Sequence, residues 1–492
     1  MDIDKDYYAV LDLSTSATQE EIRRAYHELA RRYHPDSREI STPTTLFHEV
    51  QEAYAVLSNA RSRRAYDRQR EELGLGKEAG LAWRMVLSRE RLQASHKEQV
   101  LYALIGVEPA ATFERGRLPL NLCLVIDRST SMRGARLEHV KEAACQIADK
   151  LQDDDALAIV AFDDRAEVVL ASQVGVNSAK ARAKITALRA AGGTEILHGL
   201  RLGLAELNAH HGQHVISHLI LLTDGRTYGD DEECIAEAER AGARDIAITA
   251  MGIGEDWNDV LLDQIASRSG GTSAYIGSPT QVLTLLRDKI RSLGAVFATG
   301  LTLGVHTTAD VRLESAFLTS PDLKPLALSG GTMKLGSLEA DAPMKILLEI
   351  GVGQRPVGEH RLLRLELIGD VPILGQQGEM LRRDIRCVFT HDESGQSQSD
   401  VPLAVLNALR RVTLYRMQEQ AWIALDEGKV EQATRQLEMV ATRLFDLGQK
   451  RLAEAAMLEA GHVARVGNAT ARGRKEIKYG TRSLKVGGEG YD

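Results

Sequence analysis

The sequence predicts a multidomain chain: an all-α N-terminal domain, a doubly wound α/β domain, a β-sandwich and a C-terminal helical bundle. At 492 residues the chain exceeds what one hydrophobic core usually supports. From Leu118 to Leu293, short Val/Ile/Leu runs alternate with amphipathic segments, the mark of a parallel sheet covered by helices on both faces. From 300 to 390 the apolar period becomes two, as in Leu301, Leu303, Val305 and Leu363, Leu365, Leu367, with Gly and Pro turns between.

Residues 1–70 form the first domain. Thr18-Gln19-Glu20-Glu21 has the T-x-x-E form of a capping box, which starts a helix by satisfying its first amides. Ile22, Tyr26, Leu29 and Tyr33 then recur at helical spacing as one apolar stripe, with Arg23, Arg24, Arg31 and Arg32 off it. Pro35 disfavours helical geometry at His34, so His34, Pro35 and Asp36 fall in a loop. Phe47, Val50, Tyr54 and Leu57 mark the next helix. Residues 71–97, charged and punctuated by Gly74, Gly76 and Gly80, read as a linker with some helix. Val100 to Val107 is strand-like and precedes the α/β block. Residues 98–117 and 300–392 are therefore assigned to one sandwich, with the α/β domain, 118–299, inserted in it. Helical periodicity returns over 400–466, broken at Gly428 and Gly448, as a three-helix bundle. The Gly- and charge-rich stretch 467–492 is expected to be a flexible tail.

Composition narrows the function classes. Hydrophobic residues are 43% and charged residues 26% of the chain, which is ordinary for globular domains. A formal charge of -8 argues against a nucleic-acid partner, because that affinity rests on clustered Lys and Arg. No run is long and apolar enough to span a bilayer, and MDIDKDYYAV lacks a basic and then apolar leader, so a cytoplasmic protein is expected. Cys123, Cys145, Cys234 and Cys387 form no C-x-x-C pair and are expected to be buried reduced thiols.

Leu120 to Ile126 reads as a buried strand, and Asp127-Arg128-Ser129-Thr130-Ser131 follows at its carboxyl end, where ligands bind in open α/β sheets. A second apolar run ends in Thr223-Asp224-Gly225, and Gly192-Gly193-Thr194 precedes another predicted helix. Three loops thus offer hydroxyl and carboxylate oxygens, hard ligands suited to Mg²⁺ or Mn²⁺. The same residues could instead cap turns and helices. A hydrolytic centre would need a general base as well, for which Asp163 and Asp164 are the nominees. Asp153-Asp154-Asp155 reads as a solvated turn. His210, His211, His214 and His218 straddle a helix-to-strand connection and suggest no zinc site. Gly252-Ile253-Gly254 lacks the third glycine of a dinucleotide fingerprint.

Two segments resemble known families. D-Y-Y-A-V-L at 6–11, H-P-D at 34–36, F-x-x-V-x-x-A-Y at 47–54 and R-R-A-Y-D at 63–67 occur in the order of a J domain. That resemblance implies that His34, Pro35 and Asp36, with the positive face of Arg23, Arg24, Arg31 and Arg32, dock on a DnaK-type chaperone and trigger its ATP hydrolysis. The Gly/Phe-rich segment and cysteine-rich modules of a full DnaJ are missing, so the likeness is to J-domain proteins whose other domains supply an address. D-x-S-x-S, G-G-T and T-D-G are similar to the metal-ion-dependent adhesion site of von Willebrand factor A (vWA) domains, which are Rossmann-like. By that resemblance Ser129, Ser131 and Thr194 supply hydroxyls, and Asp127 and Asp224 bind a Mg²⁺ or Mn²⁺ ion directly or through water. An open coordination position is left for an acidic residue of a protein client. The leading expectation is a cochaperone and adaptor without catalysis of its own. A scaffold for assembling or remodelling a complex, with DnaK recruitment secondary, is the alternative, and a metal-dependent hydrolase the third.

Overall fold

The structure, a computed structural model, describes residues 7–11, 13, 17–33, 44–72, 80–94, 97–110, 116–227, 229–391 and 401–484. The first domain comprises α1 (Tyr7–Val10), α2 (Gln19–Tyr33), α3 (Thr44–Leu57) and α4 (Ala60–Glu72). The capping box forms: the Glu21 N–H donates to the Thr18 hydroxyl at 3.2 Å, and the Thr18 N–H to the Glu21 carboxylate at 2.7 Å. Tyr7, Leu11, Ile22, Val50, Leu57 and Tyr66 make the core. The Tyr7 N–H donates to the Tyr66 hydroxyl at 3.0 Å, and Tyr8 bridges Arg63 and Asp67 at 2.8 Å each. The R-R-A-Y-D segment thereby closes α4 on α1. Arg23, Arg24 and Arg31 are exposed. His34, Pro35, Asp36 and the Arg32 side chain lie outside the described residues.

Two five-stranded sheets form the sandwich. One runs β1 (Leu81–Leu87), β3 (Gln99–Pro109), β14 (Met344–Val352), β11 (Val311–Ser320), β12 (Lys324–Pro325). The other runs β13 (Thr332–Glu339), β10 (Val296–Thr307), β15 (Gly358–Val371), β16 (Gln376–Thr390), β2 (Arg91–Gln93). Alternate residues point inward, so that Leu101, Ala103, Ile105 and Val107 share one core with Leu363, Leu365 and Leu367. The expected linker over 71–97 is corrected here, since β1 pairs with β3 from Leu81 opposite Pro109 to Leu87 opposite Ala103. The strand's one charged residue, Arg84, is exposed on its outer side and pairs with Glu108 at 3.1 Å.

The α/β domain enters after β3 and leaves into β10. Its sheet runs β6 (Ala166–Val174), β5 (Ala156–Phe162), β4 (Leu120–Asp127), β7 (Ile216–Thr223), β8 (Ala247–Ile253), β9 (Ser273–Ile276), parallel except for β6. Helices α5 (Ala135–Lys150), α6 (Ser178–Thr186) and α10 (Gln281–Gly294) cover one face, and α7 (Ile196–Leu207), α8 (Asp231–Gly242) and α9 (Asp259–Ser269) the other. The Asp153–Asp155 turn is not simply solvated. Asp155 is buried, receives the Leu120 and Gln152 N–H groups at 2.8 and 2.9 Å and pairs with Arg117, because the chain entering β4 needs an acceptor there. All four cysteines are buried and unbridged.

The last domain is built from α11 (Leu403–Asp426), α12 (Val430–Asp446), α13 (Lys450–Val466) and α14 (Ala471–Arg482). The start of α11 lays Val405, Ala408 and Val412 on the outside of the first sandwich sheet, against Leu104, Phe317 and Leu347. Within the stretch expected to be a flexible tail, α14 is a fourth packed helix. Thr470 caps it, accepting the Gly473 N–H at 2.9 Å. Ile477 enters the bundle core, while Tyr479 joins the α7–α9 side of the α/β domain. Gly473 signals close approach instead of flexibility: a Cβ there would lie 1.9 Å from a Glu459 carboxylate oxygen of α13. Among the described residues no helix is long and apolar enough to cross a membrane.

Candidate metal centre

Every residue of β4 is buried, with Leu122, Leu124 and Ile126 facing the α5 side and Cys123 and Val125 the α7 side. The strand delivers Asp127 to the carboxyl edge of the sheet beside the end of β7. There α5 leaves across one face and α8 across the other, so a crevice opens between the two strand ends.

Three loops meet at that crevice. The Arg128 N–H donates to the Phe162 carbonyl and the Thr130 N–H to the Gly192 carbonyl, at 2.8 and 3.1 Å, and the Ala191 N–H returns to Arg128 at 2.8 Å. The Asp127 carboxylate accepts the Ser129 N–H at 2.7 Å and the Thr223 hydroxyl at 2.6 Å. Ser129 and Ser131 hydroxyls lie 2.9 Å apart, and the Ser131 hydroxyl donates to Asp224 at 2.7 Å. Thr194 is buried beside the turn after β7, its hydroxyl oxygen 2.6 Å from where a side chain on Gly225 would begin. Asp127, Ser129, Ser131, Thr194 and Asp224 are thus brought together.

The donor set fits a hard divalent ion. Neighbouring ligand oxygens of an octahedral Mg²⁺ lie about 2.9 Å apart, given metal–oxygen bonds of about 2.0–2.1 Å. The Ser129–Ser131 and Ser131–Asp224 separations are of that size. Among the described residues no group of three or more His, Cys, Asp or Glu side chains could hold an ion. A cation at this crevice therefore depends on the hydroxyls. Burial holds the Asp127 carboxyl up at about 6, against the pull of its hydrogen bonds from Thr223 and Ser129, and Asp224 adds to the rise.

The two nominated bases are engaged. Asp163 accepts the Arg128 guanidinium at 2.9 Å and the Arg165 N–H at 3.0 Å, and Asp164 receives the Gly193 N–H at 2.9 Å, so both serve to shape the loops. The histidines do not converge. Buried His218 bonds Thr249 at 2.8 Å, with burial holding its ring well below the usual range, while His211 pairs with Ser217 and His214 with the Pro372 carbonyl.

Sequence reasoning missed Arg136. Its guanidinium forms an ion pair with Asp224, whose side chain is 0% exposed. Arg136 lies five residues after Ser131, but no periodicity ties it to a strand end 88 residues onward. A second missed group is the clamp on the segment after β8. The Lys475 ammonium of α14 donates to the Trp257 carbonyl at 2.8 Å and to that of Glu255, and it lies 4.3 Å from the Trp257 ring centre.

The chain matches the family described as the DnaJ domain over residues 6–67, the von Willebrand factor type A domain over 121–288, and the Sll0103-like, C-terminal alpha-helical domain over 403–486. It is 30% identical over 365 residues to the uncharacterized protein sll0103 of Synechocystis sp., across 73% of this chain and 86% of that protein. It is 56% identical over 63 residues to chaperone protein DnaJ 2 of Thermus thermophilus, across 13% of this chain and 22% of that protein. Among solved structures, a von Willebrand factor type A protein from Catenulispora acidiphila superposes with a TM-score of 0.66 at 19% identity, covering 83% of this chain and 97% of that one. The ArnB paralog VWA2 of Sulfolobus acidocaldarius gives 0.50 at 15% identity, covering 83% and 100%. At these identities the shared property is the fold.

Proposed function

This chain belongs to the family of the protein sll0103 and carries a DnaJ domain and a vWA domain, and on that premise we propose that it is a cochaperone and adaptor, not an enzyme. Its J domain recruits a DnaK-type ATPase and its vWA domain grips the protein to be acted on. The observation that carries the reading is the meeting of five oxygen donors from three loops at one sheet edge, on a chain whose first domain matches DnaJ.

Asp127, Ser129, Ser131, Thr194 and Asp224 would hold a Mg²⁺ ion, with Mn²⁺ as the equivalent. A bound ion would supply Lewis acidity toward an acidic side chain of the client. The protein's own part is to keep the hydroxyls and carboxylates in place beforehand, which the hydrogen bonds between them do, so that little ordering remains for the binding step. Asp163 and Asp164 are occupied in loop contacts, which speaks against a hydrolytic centre. At the other end His34, Pro35 and Asp36 trigger the partner's ATP hydrolysis, steered by the exposed Arg23, Arg24 and Arg31 toward an acidic surface. On this reading the chain works in the cytoplasm.

The test is ATP turnover by a DnaK-type chaperone with added wild-type chain or His34→Gln. Stimulation is expected from the first and none from the second, and equal turnover removes the cochaperone role. For the vWA arm, the proteins retained by wild type are compared with those retained by Asp127→Ala and by wild type in chelator. Loss of the same partner in both is expected; an unchanged set leaves a scaffold in which the metal plays no part.

A further inference from the structure

The adhesion site carries a cation of its own. Arg136, at the start of α5, turns its guanidinium back across the crevice onto Asp224, with the Ser131 carbonyl 3.5 Å away. The side chain is 33% exposed, so the charge sits at the mouth of the site and not in the core. The seat on its far side is backbone. Gly254, just beyond β8, has a φ of +75°, and a Cβ there would stand 3.0 Å from an Arg136 Nη atom. That segment is fixed in turn: the Trp257 indole N–H donates to the Gly254 carbonyl at 2.8 Å, the Arg226 guanidinium to the Asp256 carbonyl at 2.9 Å, and Lys475 holds Glu255 and Trp257 from outside.

We propose that Arg136 is the specificity-determining residue of the adhesion site, a tethered positive charge that shares Asp224 with the divalent ion, weakens the ion's hold and leaves the loaded site net positive. The inference rests on the metal reading given above. Asp127 and Asp224 just balance a dication, so the added guanidinium leaves one uncompensated positive charge facing solvent. A loaded site of that kind attracts a carboxylate and repels a lysine or arginine at the same place. In the absence of an ion, the guanidinium neutralises Asp224 and keeps the three loops from repelling apart, so the empty site retains its shape.

The experiment is titration of the full chain with Mn²⁺, free ion being read by electron paramagnetic resonance, for wild type, Arg136→Gln, Arg136→Lys and Asp127→Ala. A dication and a guanidinium about 5 Å apart under water-like screening repel by on the order of tenfold in affinity. Arg136→Gln is therefore expected to bind Mn²⁺ about tenfold tighter than wild type, and Arg136→Lys to stay near wild type. Equal or weaker binding by Arg136→Gln, with wild type binding and Asp127→Ala not, overturns the role of Arg136 and leaves the metal site standing. Absence of binding by wild type, or equal binding by Asp127→Ala, overturns the metal reading and this inference with it. Melting in chelator is the second measurement: Arg136→Gln is expected to lose stability that Mn²⁺ restores to a greater extent than in wild type, and equal shifts in both count against the proposal.

Discussion

Under the metal reading proposed above, Asp127 has to stay buried and also be charged. Its carboxyl, held up at about 6 by burial, binds protons more readily in the folded chain than in the unfolded one. Without metal, it therefore costs stability as pH rises from about 4 to about 6. Metal needs the ionised form, so Mn²⁺ affinity is expected to fall about tenfold between pH 7 and pH 5, where about a tenth of the carboxyl remains charged. A flat profile in a calorimetric titration at the two pH values would show that the carboxyl is not raised to about 6 in the folded chain. At this scale the sequence was most readable where motif and strand end coincide: Asp127, Ser129 and Ser131 follow directly from an apolar run, and Asp224 ends another. Arg136 was hidden because its meaning depends on a residue reached only through the sheet order β4–β7. Asp155 was misjudged because an acid in a run of three looks solvated until the chain is seen to need its oxygens.

Among elements, α14 shows how composition misleads. Its sequence ARGRKEIKYGTR is charged and glycine-bearing, which suggests fraying, yet Lys475, Lys478 and Arg482 all have partners on the α/β domain. Lys478 pairs with Asp259 and Asp263 at 2.6 and 2.9 Å, Arg482 with Asp263 at 2.9 Å, and the Tyr479 hydroxyl donates to Asp263 at 2.8 Å. Burial works against the Asp263 charge, but Arg482 and Lys478 outweigh it and hold the carboxyl below its usual range. Tyr479 packs near Trp257 and Tyr275, with ring centres 5.6 and 6.3 Å away. Tyr479→Ala is expected to cost about 3 kcal/mol in urea unfolding, from a lost aromatic contact and the cavity left behind. A loss below about 1 kcal/mol would mean the helix is not firmly docked. β1 was missed for a different reason: its seven residues carry one charge, Arg84, but charged residues and glycines on either side of them suggested a linker. The capping box at Thr18 and the strands of the α/β sheet were readable because their signals are local.

For the whole molecule the decisive feature is insertion. The α/β domain leaves one sandwich sheet at β3 and rejoins the other at β10, and its far side is joined to the bundle through α14. The Ala340 N–H donates to the Ala295 carbonyl at 2.7 Å and the Leu323 N–H to the Arg482 carbonyl at 3.0 Å, so the three domains share backbone bonds as well as side chains. Scanning calorimetry of the full chain is expected to show them melting in one transition, and the proposed metal site adds that Mg²⁺ would move it upward by binding the folded state alone. Separate transitions for sandwich and α/β domain would show them to be independent. The insertion itself was legible from a lone strand before the α/β block, whereas the third attachment required knowing where α14 lands.

Two strands, β3 and β10, and one docked helix, α14, tie the α/β domain to the rest of the molecule like guy-lines to a mast. Under the proposed adhesion role, tension from a bound partner would be divided among these three ties instead of turning the domain about a single pivot.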